Sequence, residues 1–420
     1  MDNPEHTIIL QSMTEQPHVL IVGGGLNGPA LALALAQGGK RVTVIDALPQ
    51  DVRQADEFDG RAYALALASQ RLLSAIGIWA RINDHAQPML EIKVTDGHAG
   101  RGPSPFWMHF DHAEIEEGPM GYMVEDRYLR RALIDAMAEN DAITLLDGQS
   151  VVAQTVSPSG VSVTLEDGIE ITGDLLAGCD GRTSGTATRA GIKRSGRDYG
   201  QTALVCAITH EKPHHGVAHQ FFMPPGPLAI LPLTGNRSLI VWAEKTELAQ
   251  QINALDDHNY LEVLRPRFGD FLGELGLEGK RFTYPLNLTV ANALIAERLA
   301  LVGDAAHGIH PIAGQGLNAG LRDVAALAET VILAARRGED IGSIQVLERY
   351  QQWRRFDMAT LVTATDMFNH LFSNDNPLLR AGRELGLGLV NALPPARRAF
   401  IREAAGLTGD LPRLMQGKTI

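Results

Sequence analysis

Residues 18–46 read HVLIVGGGLNGPALALALAQGGKRVTVID, and their order decides the fold. An apolar strand runs into Gly23, Gly25 and Gly28 in G-x-G-x-x-G spacing, a small-residue helix follows, and a second strand closes on Asp46. Each position has a physical reason. Gly23 permits a tight turn, Gly25 lets the backbone approach a pyrophosphate, and Gly28 with Ala30, Ala32 and Ala34 lets helix and sheet pack closely. The free N–H groups at the helix start then face the phosphates. Asp46 ends the second strand, where a carboxylate accepts the ribose hydroxyls of an adenosine. The segment predicts a strand–turn–helix–strand unit that binds a dinucleotide, and the turn alone does not separate FAD from NAD. The uncharged run from His18 to Gly39 is long enough to suggest a membrane span, but its glycine elbow has no place in lipid.

Two later segments share this grammar. GDLLAGCDGRTSGTATRAGI, residues 173–192, is an apolar strand ending at Asp180 and Gly181, which by itself reads as a simple turn. RLALVGDAAH, residues 298–307, is a strand running into Asp304, at the edge where open α/β sheets place ligands. HPIAGQG follows, and then a helix whose apolar residues recur at helical spacing and whose start, around Gly316 to Asn318, aims just past the strand edge.

A chain of 420 residues suits two or three intertwined domains with a sizeable core. Its hydrophobic share of 45% and charged share of 20% are those of a globular protein, and no repeat or low-complexity segment stands out. The net charge of -12 argues against nucleic acid as a partner, since phosphate binding needs a basic face. Cys179 and Cys206 both lie in apolar runs and read as buried free thiols. His210, His214, His215 and His219, in the polar stretch HEKPHHGVAH, read as a solvated surface, and no metal site is expected. The acidic start MDNPEHTIIL lacks the basic and apolar regions of a signal peptide, so a cytoplasmic location is expected.

Apolar runs between residues 201 and 244, split by proline and glycine turns, read as an antiparallel sheet roofing a pocket, joined by EIKVTDG near residue 91. After residue 337 the pattern turns helical, ending in LLRAGRELGLGLVNALPPARRAFIREAAG, which mixes apolar residues with arginines. Packing on the rest of the protein and peripheral contact with the inner face of a membrane are both open readings of that last piece.

With these segments in hand, the chain resembles the FAD-dependent aromatic hydroxylases (group A flavoprotein monooxygenases), most closely the ring hydroxylases of ubiquinone biosynthesis. The carriers are VGGGLNG, DGRAYALALASQRLLSAIGIW, CDGRTS, GPLAILPL and, with the highest specificity, GDAAHGIHPIAGQGLNAGLRD, and the resemblance spans roughly residues 18 to 417. It implies an α/β fold: a Rossmann-like FAD domain of the glutathione-reductase and p-hydroxybenzoate-hydroxylase type, an inserted antiparallel-sheet substrate domain and a C-terminal helical region. The implied boundaries are 1–80, 120–195 and 285–336 for the FAD domain, 81–119 and 196–284 for the substrate domain, and 337–420 for the helical region.

Residue by residue, the resemblance implies that Asp304 hydrogen-bonds the ribityl chain of FAD. The backbone at Gly314, Gly316, Leu317 and Asn318 would lie by the flavin's pyrimidine edge, where the positive helix end favours the reduced ring. Arg61 stands at the family's arginine beside the flavin, Arg127 is a candidate for the phosphate side of FAD, and Asp180 belongs to a fingerprint serving both FAD and NAD(P)H. His310 and Pro311 would lie over the flavin face, as the candidate catalytic positions. One departure stands out: the family's arginine after DGxxS is Ala187 here, with Arg189 two residues on.

The implied chemistry uses reduced flavin and O2 to form a C4a-hydroperoxide whose distal oxygen passes to an electron-rich ring. The substrate would be a polyprenylated phenol such as a 2-polyprenyl-6-methoxyphenol, and the reductant NAD(P)H or an electron-transfer partner. Flavin-dependent reductases and halogenases share the fold, but the tryptophan-rich WxWxIP motif of the latter is absent. A non-catalytic FAD-binding subunit of a ubiquinone-biosynthesis complex is the alternative of a different class, and a hydroxylase of another aromatic substrate is the alternative within the same class.

Overall fold

Parallel strands stack side by side where a βαβ crossover returns the chain to the same sheet edge, and residues 18–46 begin such a stack. The structure, a computed structural model, describes residues 16–49, 52, 57–98, 102–223, 225–308, 315–355, 357 and 393–420. Its first sheet has six strands, in the order Ile295–Ala296, Leu299–Leu301, Leu175–Gly178, His18–Val22, Arg41–Asp46 and Ile143–Asp147. All pairs are parallel except the first. Val19, Leu20 and Ile21 are fully buried, as a strand covered on both faces must be. Helices Asn27–Gln37, Asp126–Ala138 and Gln315–Arg336 supply much of the cover.

The register brings the motifs together. Val22 pairs with Ile45 on one side and Gly178 on the other, and Gly178 pairs with Leu301. The glycine turn, Asp46, Asp180 and Asp304 therefore leave the sheet at the same carboxyl edge.

The second large sheet has eight strands, in the order His307–Gly308, Leu275–Ala291, Arg194–His210, Arg237–Lys245, Gly226–Leu233, Val217–Met223, Glu91–His98 and Gly102–Asp111. It is antiparallel, as expected, at every pair but one: Val217–Met223 runs parallel to Glu91–His98. One face packs under helices Thr246–Asn253 and Asp257–Phe268, burying Trp242, Tyr260 and Phe268. The other faces a three-stranded sheet of Ala62–Ala66, Gly121–Glu125 and Ala86–Met89. A further three-stranded sheet holds Val151–Ser157, Gly160–Leu165 and Glu170–Gly173.

The arginine-rich C-terminal piece falls partly outside the described residues. Its described helix, Pro394–Ala404, packs on protein: Arg397 bonds Glu114 at 2.8 Å, Arg402 bonds Glu117 at 3.0 Å, and Ile401 is buried. Among the described residues no helix is long and apolar enough to cross a membrane.

The histidine stretch is not the solvated surface expected. His210 is buried, with ring nitrogens 2.8 Å from the Lys212 carbonyl and 3.0 Å from Ser238 Oγ. His214 meets the Leu233 carbonyl at 2.7 Å, and only His215 of the four is exposed. His219 sits within strand Val217–Met223, its ring 4.7 Å from that of Phe271. Strand alternation in VAHQFFM outweighs the polarity of the preceding turn. Cys206 is buried and free, 3.7 Å from the Tyr260 hydroxyl, while Cys179 is free and only partly buried.

Burial, helped by Lys93, pushes the His219 imidazole down to about 4. A base depressed in the folded state is protonated first in the unfolded chain, so its neutral burial favours folding above about pH 6.5 and ceases to do so as pH falls toward 4. We predict that wild-type stability, measured by urea unfolding, declines more steeply across that window than that of His219→Phe. Parallel pH profiles for the two proteins would refute this.

Candidate active site at the carboxyl edge

The first turn is built as its glycines require. Gly23 has φ of 109°, and a Cβ there would lie 2.3 Å from the Cys179 carbonyl oxygen. A Cβ on Gly28 would lie 1.9 Å from the Gly23 carbonyl oxygen, so helix and turn touch through backbone. Gly25 is different, since a Cβ there meets nothing within 4 Å. Helix Asn27–Gln37 has no side-chain cap, which leaves its first N–H groups for an anion. Asp46 accepts hydrogen bonds from the N–H of Gly24 and, at 2.7 Å, of Leu48, which fixes its carboxylate at the strand end.

Asn27 joins this turn to the Asp304 loop. Its Nδ2 would stand 2.2 Å and 2.4 Å from Cβ atoms built on Gly303 and Gly320, and its buried Oδ1 has no hydrogen-bond partner. Both ends of the Asn27 amide thus pack against Gly320, and the side chain wedges the first turn against the long helix. Asn27 lies within VGGGLNG, and the glycine spacing there gives no sign of its role.

Asp304 lies on the short turn Gly303–Ala305 with its side chain 37% exposed, open to a hydroxylated chain. Arg182 reaches it from the second fingerprint, Nε to Oδ2 at 3.1 Å, while its Nη1 donates to Asn287 Oδ1 at 3.1 Å. Asp180 is turned inward: it accepts from Ser184 Oγ at 2.5 Å and from the Thr186 N–H at 2.9 Å, ordering the turn that carries Arg182. Ala187 is fully buried, so no cation stands there. Arg189 does not replace it, because its guanidinium bonds Gln154 at 3.1 Å and the Val151 carbonyl at 3.0 Å, on the Val151–Ser157 strand.

The long helix Gln315–Arg336 starts with Gly316, where a Cβ would meet nothing within 4 Å, and half-buried Leu317. The Asn318 side chain straps that start to the neighbouring strand and helix. Its Oδ1 accepts from the Ala66 N–H at 2.9 Å and Ser69 Oγ at 2.8 Å, and its Nδ2 donates to the Ala64 carbonyl at 2.8 Å. His310, Pro311 and Gly314 lie outside the described residues.

Arg61 is held by Asp59 at 2.6 Å and Asp126 at 3.5 Å, over the Phe282 ring at 5.9 Å, and so lies between the two sheet systems. Asp126 also accepts from Tyr63 at 2.9 Å and Arg130 at 2.7 Å. Burial, then the Asp126 charge, push the Tyr63 phenol well above its usual range. Arg127 bonds Glu125 at 2.8 Å and stacks on Tyr128 and Phe58, beside Arg237, which bonds the same Glu125 at 2.6 Å.

A family model described as FAD binding domain matches residues 16–365. Ubiquinone hydroxylase UbiL of Rhodospirillum rubrum is 46% identical, over 95% of this chain and 92% of its own length. The chain belongs to the FAD-dependent aromatic hydroxylases. The 3-demethoxyubiquinol 3-hydroxylase of Escherichia coli is 34% identical over 94% of this chain and all 100% of its own. Among solved structures, p-nitrophenol 4-monooxygenase PnpA from Pseudomonas putida superposes with a TM-score of 0.77 over 94% of this chain and 98% of its own, at 19% identity, a likeness of fold. The protein is thus a flavin monooxygenase, with FAD as its cofactor. When bound, FAD supplies the activation of O2; the polypeptide supplies binding, orientation and a dry site.

The two glycines separate folding from cofactor binding. Gly25→Ala should leave the melting temperature of the apoprotein within about 2 °C, since the new methyl meets no protein atom, and weaken FAD binding by about tenfold or more. Gly28→Ala should destabilise the apoprotein itself. Melting curves and FAD titration of both check this, and wild-type FAD affinity in Gly25→Ala would remove the pyrophosphate from this turn.

Proposed function

We propose that this monooxygenase adds one oxygen atom to the ring of a polyprenylated phenol on the way to ubiquinone, of the 2-polyprenyl-6-methoxyphenol type. The observation that carries the reading is the nearly end-to-end match with a ubiquinone hydroxylase at 46% identity. In this reading Gly23, Gly25, Gly28 and Asp46 hold the adenosine diphosphate half of FAD. Asp304, with Arg182 beside it, takes the ribityl chain, and the backbone of Gly314, Gly316, Leu317 and Asn318 meets the flavin's pyrimidine edge. Arg61 and Arg127 stand on the side facing the substrate sheet, and Asp180 supports the turn that carries Arg182. His310 and Pro311 lie over the flavin. Residues 81–119 and 196–284 form the substrate half, and NAD(P)H is the reductant.

Membership of a biosynthetic complex and a peripheral membrane contact belong to the same proposal, since a polyprenyl tail partitions into lipid. The test is a purified preparation, its absorbance spectrum, and NAD(P)H-driven flavin reduction with and without a short-chain prenylated methoxyphenol. We expect bound FAD, reduction stimulated by the phenol, and a product heavier by one oxygen. FAD-loaded protein that yields no oxygenated product, even with a chemical reductant and O2, would sink the reading.

A further inference from the structure

Arg182 touches three elements that meet at the carboxyl edge. It leaves the turn after strand Leu175–Gly178, where its carbonyl accepts from Arg194 Nη1 at 2.5 Å and Asp180 orders the residues that follow. Its stem lies along Gly308, on which a Cβ would stand 3.3 Å from Arg182 Cγ. The fork then divides. Nε donates to Asp304 Oδ2 and Nη1 to Asn287 Oδ1, both at 3.1 Å.

Those two acceptors belong to different sheet systems. Asp304 sits on the turn that leaves the six-stranded sheet. Asn287 lies in strand Leu275–Ala291 of the eight-stranded sheet, directly after Leu286, which packs on the inner face with Phe282. Alternation turns Asn287 to the other side of that strand. The neighbouring strand Arg194–His210 is bulged at this level: Asn287 pairs with Asp198 and Leu286 with Gln201, so the neighbour carries two extra residues. A bulge bends a sheet locally and re-aims its side chains. Further on, the same strand pairs with His307–Gly308, which continues from the Asp304 turn.

Folding stability does not account for this arrangement. The Arg182 and Asp304 side chains are 39% and 37% exposed, and ion pairs so open to water contribute little to folding. The fingerprint does not account for it either, since Arg182 occupies an open position of the DGxxS pattern. What a planar guanidinium does well is fix two acceptors relative to each other. A carboxylate has about four acceptor sites, so Asp304 can serve Arg182 and a hydroxyl together.

We propose that Arg182 is a positioning residue for the cofactor: by bridging Asp304 and Asn287 it orients the Asp304 carboxylate for the ribityl chain and fastens the substrate sheet to the FAD site. The inference rests on the assignment of Asp304 to the ribityl chain made above. FAD affinity then depends on Asn287, a residue of the other sheet, and does so through Arg182.

The test is FAD titration of the apoprotein, read by quenching of flavin fluorescence. The proteins are wild type, Arg182→Met, Asn287→Ala, the double variant, Arg182→Lys and Asp304→Asn. Methionine keeps a stem against Gly308 and removes the fork. Arg182→Met should weaken FAD by about tenfold and Asn287→Ala by about threefold, while adding Asn287→Ala to Arg182→Met should change affinity by less than about twofold. Arg182→Lys keeps the charge without the fork and should stay at least about threefold weaker than wild type. Apoprotein melting temperatures should lie within about 2 °C of wild type. An Arg182→Met affinity within about twofold of wild type overturns the assignment, as does an Asn287→Ala effect that is the same with and without Arg182, or full recovery in Arg182→Lys. A fall in melting temperature that accounts for the lost binding also overturns it, by making the role structural. Normal FAD binding with a raised KM for NAD(P)H in Arg182→Met would move Arg182 to the reductant. Asp304→Asn binding FAD as tightly as wild type refutes the ribityl assignment itself.

Discussion

Asp323 is a fully buried carboxylate in the middle of the long helix, and the ligand-facing edge hangs on it. Its Oδ2 accepts from the Gly303 N–H at 2.9 Å and lies 2.5 Å from His307 Nε2, while Oδ1 accepts from Arg354 Nε at 2.6 Å. Burial by itself would raise its pKa; His307 and Arg354 outweigh that and hold the carboxyl below its usual range. A buried charge is tolerable only when every lone pair is matched, and removing one partner typically costs about 3–5 kcal/mol. The chain therefore has one low-energy way to lay residues 303–308 against the helix, and Asp304 is carried into place by it.

The same logic runs outward. Asn318 ties the helix start to Ala64, Ala66 and Ser69, and Asn27 fills the space between Gly303 and Gly320. Asp180 orders the turn from which Arg182 reaches Asp304. Polar side chains that look like ligand contacts are in several cases fasteners, and what they present to a cofactor is backbone and the few groups left open: Gly25, Asp304 and Gly316. A flavin needs oriented N–H groups more than it needs reactive side chains, so fixing the backbone is the protein's main contribution to holding it.

What was legible in the amino-acid sequence follows from distance along the chain. The G-x-G-x-x-G turn, Asp46 and Asp304 each sit within one strand and its following turn, and periodicity with glycine spacing is enough to read them. Arg182 and Asp304 are 122 residues apart and Ala66 and Asn318 are 252 apart, so no local pattern announces either contact. The parallel pairing of Val217–Met223 with Glu91–His98 was hidden for the same reason. His219 was misread for a different one: the charged, proline-bearing turn before it dominated the window, although the alternation of VAHQFFM already marked a strand. The acid in LRD was also within reach, since an aspartate on the apolar face of a long amphipathic helix asks for buried partners.

Charge is divided between two surfaces of this molecule in a way that suits its chemistry. At the carboxyl edge, acids and arginines are numerous and paired, which gives rigid geometry to a polar, negatively charged cofactor. On the inner face of the large sheet, charge stops at Arg237 on one side and Lys245 on the other, with apolar residues and the Gln220 amide between. An electron-rich phenol with a long apolar tail loses little on entering such a space, whereas water and ions lose their hydration. Arg61, paired with Asp59 and lying over Phe282, stands where the two surfaces meet. A cation already neutralised by its acid can shape that boundary without drawing an anionic ring into the neutral side.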